Sequence, residues 1–281
     1  MKLIQEIKAF SVECKKDHIS AYAAQSAYFT LLSLIPFLLF FCAMLKYTPV
    51  SLDFLISRVE LMLPDYVAVF LVNVIRETYR SSTGLMSISA LVAILSAARA
   101  IQFLTEGLNR MYDLSETRNW LIMRFWACIY TCAMMFALLL MLMLLVFGRM
   151  LQQWFARYFP TITAIVDVFL QMRILIGIGT LTCIFTLLYC ALPNRKANRQ
   201  KRITWKSQLP GAFLCAIAWY VFSGGVSVYV NYFHGFSSYG SLTTIALIMF
   251  WLYVCMYILM VCAEINHLYS ERIHLQNRRR R

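Results

Sequence analysis

The stretch LTTIALIMFWLYVCMYILMVCA, residues 242–263, contains no charged side chain. A helix needs about 20 mainly apolar residues to cross the ~30 Å hydrocarbon core of a bilayer. This stretch has that length and composition, and the charged residue Glu264 follows it directly. It therefore predicts a helix that spans a membrane.

Five more stretches of the same kind lie nearer the N-terminus. In chain order, the six predicted spans are residues 27–45, 84–104, 125–148, 174–191, 210–230 and 242–263. Pro36 interrupts the first span, which neighbouring helices can accommodate in lipid. The sequence predicts an all-α fold in which residues 1–281 form a single integral membrane domain, a polytopic protein with six transmembrane helices.

The composition of the chain excludes an ordinary soluble fold. Of its 281 residues, 61% are hydrophobic and 14% are charged, whereas soluble domains have roughly 45–50% apolar and about 25% charged residues. A soluble protein must cover its surface with polar groups, and this chain has too few of them. Lipid removes that requirement.

The segments between the predicted spans also carry apolar residues at helical spacing. Near the N-terminus, Leu3, Ile7 and Phe10 fall on one helical face, and similar patterns occur in residues 47–83 and 149–173. Such patterns are typical of amphipathic helices that lie in the membrane interface. For the N-terminal segment, a cytoplasmic helix packed against the bundle is the alternative.

The positions of the Lys and Arg residues predict the orientation of the chain. Cytoplasmic loops of membrane proteins carry an excess of these two residue types. Of the 26 Lys and Arg residues, eighteen lie on the side that includes both termini and seven on the opposite side, while Arg99 lies within a span. Both termini are therefore predicted to be cytoplasmic.

The formal net charge of +13 would suggest a nucleic-acid partner for a soluble protein. Two basic segments, from Arg195 to Lys206 and from Arg278 to Arg281, lie beyond the ends of predicted spans. Membrane lipids are the nearer polyanion there, so we interpret both segments as contacts with anionic headgroups and expect no nucleic-acid partner. Docking of an acidic cytoplasmic protein is the alternative.

The cysteine and histidine patterns predict neither a metal nor a catalytic centre. The nine cysteines form no CxxC pair and no Cys/His ligand spacing, and the four histidines are dispersed outside the predicted spans. RNA cleavage would need clustered general acids and bases or a metal site. We therefore expect a protein that is not an enzyme and that binds no cofactor.

The second predicted span carries a stripe of polar residues. These residues are spaced three or four apart, so they share one face of a helix: Arg99, Gln102, Glu106 and Asn109. Glu264 closes the sixth span on the same predicted side of the membrane. An arginine within a span is costly unless it is paired or hydrated, so we expect Arg99 to pair with Glu106, Glu264 or both. Two interpretations stay open: a polar pathway that attracts an anionic group, or an ion pair that only fixes helix packing.

A second group of small and polar residues surrounds the outer turn between the last two spans. Its members are Ser223, Gly224, Gly225, Asn231, Tyr239 and Ser241. Small residues let membrane helices approach closely, and hydroxyl groups can bond across them. Helix packing is one interpretation of this group, and a substrate vestibule is the other.

Four short patterns occur in order along these spans. They are AQSAY at 24–28 with LSLIP at 32–36, RAIQFLTEGLNRMY at 99–112, LPGA at 209–212 with Trp219, and YGSL at 239–242 with WLY at 251–253 and AEIN at 263–266. Together they resemble the YihY/virulence factor BrkB family of bacterial inner-membrane proteins, over roughly residues 17–269. Cys262 departs from the glycine that is usual in the family.

The resemblance implies six helices in the bacterial inner membrane and a transport function. It also brings an older family label, ribonuclease BN, against which the dispersed histidines argue. Our first hypothesis is a transporter or exporter of an envelope lipid or of another anionic or amphipathic solute. The alternative is a non-transporting membrane scaffold or envelope assembly factor.

Overall fold

A computed structural model of the chain describes residues 2–45, 51–62, 72–73, 75–77, 83–133, 173–194, 204–232 and 240–279. Within these residues the fold is helical, without strands. The helices are α1 (Lys2–Lys16), α2 (Ile19–Leu45), α3 (Leu52–Met62), α4 (Thr83–Met111), α5 (Trp120–Ala133), α6 (Arg173–Ala191), α7 (Trp205–Tyr232) and α8 (Gly240–Arg279). The predicted all-α class is confirmed.

Four helices in the described part of the chain are long and apolar enough to cross a membrane. Their candidate spans are Ile19–Phe40 in α2, Ser87–Met111 in α4, Trp205–Val230 in α7 and Ile245–Tyr269 in α8. Two further apolar stretches are shorter, namely α5 and the segment Gly177–Ala191 of α6. Most of the predicted third span lies beyond Ala133, outside the described residues, so the count of six stays a prediction.

Four helices extend well past the apolar runs that predicted them. α2 begins at Ile19, α7 begins at Trp205, α4 ends at Met111 and α8 continues to Arg279. An apolar run marks the depth of the lipid, whereas backbone hydrogen bonding continues through polar residues until the chain is stopped. The ends of the helices therefore carry polar side chains beyond the apolar core of each span.

Two of the segments predicted to form interfacial helices are helical, and their position in the membrane interface stays a prediction. α1 is a helix, and its residues Phe10 and Cys14 contact the buried core of the bundle. α3 lies within the predicted segment 47–83. Residues 149–172 lie outside the described part of the chain, so the helix predicted there stays a prediction.

Small residues line the contacts between the long helices. α2 packs along α4 and α8, and α7 packs along α6 and α8. Ala23, Ala98, Ala212 and Ala263 are completely buried. Because alanine brings two backbones close together, many weak dispersion contacts can form without a hydrophobic driving force from water.

Large apolar side chains cover much of the outside of the bundle. Leu91, Leu121, Phe213 and Val221 each expose more than half of their surface. In water, each Å² of such surface would cost roughly 25 cal/mol. A lipid environment removes this cost, and the outward placement of these side chains agrees with the composition of the chain.

Candidate functional site

Polar side chains gather where α4 and α6 end and α7 begins, a region that we call the polar end. α4 stops there because Asp113 adopts a left-handed conformation with φ of 47°. The N–H of Leu114 donates to the Asn109 carbonyl at 2.8 Å, and the N–H of Asp113 donates to the Arg110 carbonyl at 3.1 Å. These bonds form a Schellman motif, which satisfies carbonyls at a helix end. The motif turns residues 114–119 back against α4.

Asn109 connects three segments at the polar end. Its side chain is buried, its amide donates to Glu116 Oε2 at 2.6 Å, and its oxygen accepts the backbone N–H of Asn194 at 2.8 Å. The Asn194 amide donates to the Ser115 carbonyl and to the Thr117 hydroxyl. The end of α4, the following loop and the end of α6 are thereby held together.

Glu116 and Arg118 form a bidentate ion pair within this loop. Nε and Nη2 of Arg118 lie 2.8 and 2.6 Å from the two carboxylate oxygens of Glu116. Burial alone would raise the pKa of Glu116, but hydrogen bonds and charge from Arg118, with the Asn109 amide, hold that pKa below its ordinary value. The charged form of Glu116 is thus favoured in the folded protein.

Glu116→Gln is expected to destabilise the protein by about 1 kcal/mol near neutral pH, through the loss of charge-assisted hydrogen bonds at a partly exposed site. Because the folded-state pKa of Glu116 is depressed, its contribution is present above the unfolded-state pKa and is lost as pH falls through the folded-state pKa. The difference between variant and wild type should therefore shrink at acidic pH. Unfolding in detergent, followed by helical circular dichroism, measures it.

Glu13→Gln is the matched control for this prediction. Glu13 pairs with Lys16 on the exposed surface of α1, and such pairs contribute little. A loss of stability equal to that of Glu116→Gln, or a loss that grows at acidic pH, would contradict the assigned role of the loop ion pair.

A second set of hydrogen bonds surrounds Pro210 in α7. Proline has no N–H, so the helix lacks one backbone bond at this position. Beside this proline, Asn266 of α8 bonds to the backbone of α7: its amide donates to the Gln208 carbonyl at 3.0 Å, and its oxygen accepts the N–H of Gly211 at 2.8 Å. We call this arrangement the Asn266 clamp.

The Asn266 clamp continues into α4 through side chains. Gln208 Oε1 accepts the Asn266 amide at 3.0 Å and the Tyr112 hydroxyl at 2.7 Å. Gln208, Tyr112 and Asn266 are each 1% exposed. A Cβ at Gly211 would lie 2.5 Å from the Asn266 side chain, so the clamp also requires glycine at this position.

Glu264 lies two residues before Asn266 on α8, at the polar end. It is 1% exposed, and neither of its carboxylate oxygens has a hydrogen-bond partner within the described residues. Asp17, at the junction of α1 and α2, is also buried and lies 3.5 Å from the guanidinium of Arg110. Burial raises the pKa of Asp17 above its ordinary value, although Lys16 and Arg110 act in the opposite direction.

Arg99 does not make the predicted ion pair. Its guanidinium carbon lies 5.6 Å from the centre of the Phe29 ring of α2, and the side chain is exposed. Among the side chains that the structure describes, no ion pair joins Arg99 to Glu106 or Glu264. Glu106 instead accepts a hydrogen bond from Gln102 at 3.1 Å.

The distances along α4 explain why the predicted pairing is wrong. Arg99 and Glu106 are two turns apart, which is about 10 Å along the helix axis. Glu264 interacts electrostatically with Tyr112, just past the end of α4, and Tyr112 lies roughly 20 Å along the axis from Arg99. Sequence spacing placed these charges on one side of the membrane without fixing the relative depth of the helices.

A second arginine reaches the same stripe from α5. Arg124 donates to the Leu95 carbonyl at 2.9 Å and lies 3.5 Å from Gln102 Oε1. Leu95 and Gln102 precede and follow Arg99 by about one turn each. Two guanidinium groups and one carboxylate, that of Glu106, therefore share this face, which we call the arginine face.

The predicted outer group is only partly described. Ser223 Oγ accepts a hydrogen bond from Trp251 Nε1 at 3.2 Å, which links α7 to α8. Gly224 and Gly225 are exposed, and a Cβ at either position would meet no described atom within 4 Å. Within the described part of the chain no helix packs on these two glycines, and the packing and vestibule interpretations both stay predictions. Tyr239 and the side chains of Asn231 and Ser241 lie outside the described part.

Comparison with known families covers nearly the whole chain. The model of the family described as Virulence factor BrkB matches residues 10–281. The chain belongs to this family. The predicted family resemblance is thereby confirmed.

Two relatives of this BrkB-family chain are similar to it over most of its length. A ribonuclease-like protein of Bacillus subtilis, YfkH, is 30% identical over 89% of this chain and 90% of its own length. A UPF0761 membrane protein of Pseudoalteromonas atlantica is 24% identical over 97% of this chain and 88% of its own length. No solved structure matches the chain. With its apolar helices, the chain is a multi-pass membrane protein of the BrkB family.

Sequence reasoning missed several residues that organise the BrkB-family bundle. Gln208, Asn194 and Glu116 carried no signal beyond their polarity. Tyr112 and Asn266 were within the family patterns, but no role was predicted for them. A proline followed by glycine inside a predicted span was the available signal, because Pro210 interrupts the backbone bonding of the helix and Gly211 allows the side chain of another helix to approach closely.

Proposed function

We propose that this BrkB-family protein transports an anionic, amphipathic solute, such as an envelope lipid, across the bacterial inner membrane. One observation carries the proposal. Arg99 stands at the midpoint of the candidate span Ser87–Met111, and its side chain is exposed without a carboxylate partner among the described side chains. The proposal assigns no catalytic reaction and no cofactor to the chain.

The energetics of Arg99 favour an anionic ligand. An arginine at the centre of a lipid-embedded helix costs about 2.5–3.5 kcal/mol or more. Its contact with Phe29, at an exposed position, recovers about 0.5–1 kcal/mol. Water or an anionic group beside Arg99 offsets the remaining cost, and an anionic group also gains a charge-assisted hydrogen bond.

The surroundings of Arg99 favour a ligand with an apolar part. Leu95 and Leu91 lie one and two turns from Arg99 on the same face of α4, and both are exposed. On α2, the exposed side chains of Tyr28 and Leu32 flank Phe29. A solute with one anionic group and a long apolar part matches a cation that is bordered by exposed apolar side chains.

The second arginine strengthens the same interpretation. Arg124 adds a guanidinium to the arginine face, and Glu106 is the one carboxylate that the structure places there. The face thus has a net positive charge within its described residues. In this proposal both termini are cytoplasmic, and the basic segments at 195–206 and 278–281 contact anionic headgroups.

Lipid translocation in proteoliposomes tests this proposal. We expect the purified chain to move fluorescently labelled phosphatidylglycerol between leaflets about tenfold faster than labelled phosphatidylcholine, because one additional ion pair of about 1.4 kcal/mol corresponds to that factor. Protein-free liposomes set the baseline. Baseline rates for both lipids, together with a baseline rate for soluble anionic amphiphiles, would contradict the proposal.

A membrane scaffold is the second candidate function. The observation that favours it is the Asn266 clamp with Gln208 and Tyr112, because these buried polar groups bond to one another and fix the relative positions of α4, α7 and α8. In a scaffold, Arg99 would meet a carboxylate of a partner protein. Baseline flux combined with recovery of a stable partner after crosslinking at Arg99 would favour this candidate.

A further inference from the structure

Glu264 is a buried acidic group that does not belong to the arginine face. Its side chain is 1% exposed, and both carboxylate oxygens are without a hydrogen-bond partner in the described part of the bundle. A carboxylate that loses its water without gaining a partner costs several kcal/mol. A carboxyl group that carries a proton avoids most of that cost.

The charges around Glu264 are mainly of its own sign. The carboxylates that act on it most strongly are Asp17 at the junction of α1 and α2, Glu13 on α1 and Asp113 after α4, and the opposing cation is Lys16 on α1. Lys16 bonds to Glu13 at the surface of α1. Like charges around Glu264 disfavour the negatively charged form of its carboxyl group.

Two further groups near Glu264 titrate outside the neutral range. Tyr112 and Cys14 both interact electrostatically with Glu264. Burial raises the pKa of Tyr112 well above its ordinary value and raises that of Cys14 to about 11. Both side chains stay uncharged near neutral pH, so neither supplies a counter-charge for Glu264.

A metal ion needs several ligating groups, whereas Glu264 supplies one carboxyl group. No group of three or more His, Cys, Asp or Glu side chains that could hold a metal occurs in the residues that the structure describes. A proton needs only one oxygen atom. The geometry therefore favours a proton as the species that Glu264 binds.

We propose that Glu264 is a proton-binding site whose exchangeable proton drives the transport cycle of this protein. This inference rests on the proposed transport function. In the exchange step, the O–H bond of the Glu264 carboxyl group breaks, its electron pair stays on the carboxylate, and the proton passes through a water molecule to an oxygen of the Asp17 carboxylate, because Glu264 has no direct hydrogen-bond partner in the described part of the bundle.

Asp17 has the properties of a relay to the aqueous phase. It is buried, its pKa is raised by that burial, and its partner Arg110 has a side chain that is 55% exposed. A proton on Asp17 can therefore pass to water at the exposed side of Arg110. The reverse sequence reloads Glu264.

Infrared spectroscopy of the full-length protein in lipid tests proton binding directly. We expect the wild type at neutral pH to show the C=O stretching band of a protonated carboxyl group, and Glu264→Gln to lack it. Glu106→Gln is the matched control, because Glu106 also lies near the end of a span but has a hydrogen-bond partner. A wild type without the band, or a Glu264→Gln protein with an unchanged band, would overturn the proposal.

Flux under a pH gradient tests the coupling. We expect the gradient to accelerate export of labelled phosphatidylglycerol by the wild type, whereas Glu264→Gln should show the same rate with and without the gradient. If the wild-type flux is the same with and without the gradient while the infrared band is present, the proposed coupling to protons is wrong and the proposed transport function stands. If the wild type shows no flux at all, the proposed function fails and the coupling fails with it.

The folding of the Glu264→Gln protein is a further check. Glutamine replaces a neutral carboxyl group with a neutral amide of the same shape, so we expect the melting temperature at neutral pH to stay within error of the wild type. Asp17→Asn supplies the second variant: it should keep the infrared band of Glu264 and slow the gradient-dependent flux. Retention of the full gradient effect in Asp17→Asn would overturn the relay.

Discussion

Gly211→Ala is expected to destabilise the protein by about 3 kcal/mol, although alanine ordinarily favours a helix. The new methyl group would lie 2.5 Å from the Asn266 side chain, so the Asn266 amide must move. The hydrogen bonds of the Asn266 side chain to the Gly211 N–H and to the Gln208 carbonyl are then lost. A buried polar group that loses its partner, here the Asn266 amide, costs about 1–3 kcal/mol.

Gly224→Ala is the matched control on the same helix. A Cβ at Gly224 meets no described atom within 4 Å. Since alanine is favoured over glycine in a helix by about 1 kcal/mol, this variant should be as stable as the wild type or slightly more stable. Chemical unfolding in detergent, followed by helical circular dichroism, compares the two variants.

A double-mutant cycle identifies the cause of the Gly211→Ala effect. In an Asn266→Ala background the clamp is already absent, so Gly211→Ala should cost much less than it does in the wild type. An equal cost in both backgrounds would show that the methyl group acts through a neighbour other than Asn266. A stable Gly211→Ala protein would contradict the clamp itself.

The Asn266 clamp also shows which part of the fold could be predicted. The apolar runs predicted where α2, α4, α7 and α8 cross the membrane, because burial in lipid depends on composition alone. The clamp depends on the depth at which α8 lies against α7. That depth is set by packing between residues far apart in the chain, and no periodicity within either segment encodes it.

The candidate site, too, was predicted only in part. The sequence predicted Arg99 as the unusual charge, since any cation within a span has a high cost. Its predicted partner was wrong because Glu264 lies near the end of α4, far along the helix axis from Arg99. Within the described residues neither Arg99 nor Glu264 has a partner of opposite charge, and this could be seen only once the relative depth of α4 and α8 was known.

Arg99→Leu is expected to lower the flux of anionic lipid at least tenfold while leaving the protein folded. The guanidinium makes no ion pair within the described residues, and it lies over the Phe29 ring. Leucine removes the cost of a charge in lipid, so the free energy of unfolding should stay unchanged or rise. Loss of one ion pair of about 1.4 kcal/mol to a moving anion corresponds to a tenfold lower rate.

Two further variants separate charge from shape at this position. Arg99→Lys keeps the charge but loses the planar fork that binds a phosphate through two bonds, so we expect an intermediate rate. Lys8→Gln, at an exposed position of α1, removes one positive charge from the chain and should leave the flux unchanged. Equal rates for Arg99→Leu and the wild type would contradict a role for Arg99 in moving the anion. An Arg99→Leu protein that fails to fold, beside a folded Arg99→Lys protein, would instead assign Arg99 to helix packing, because a charge needed for folding must have a fixed partner in the bundle.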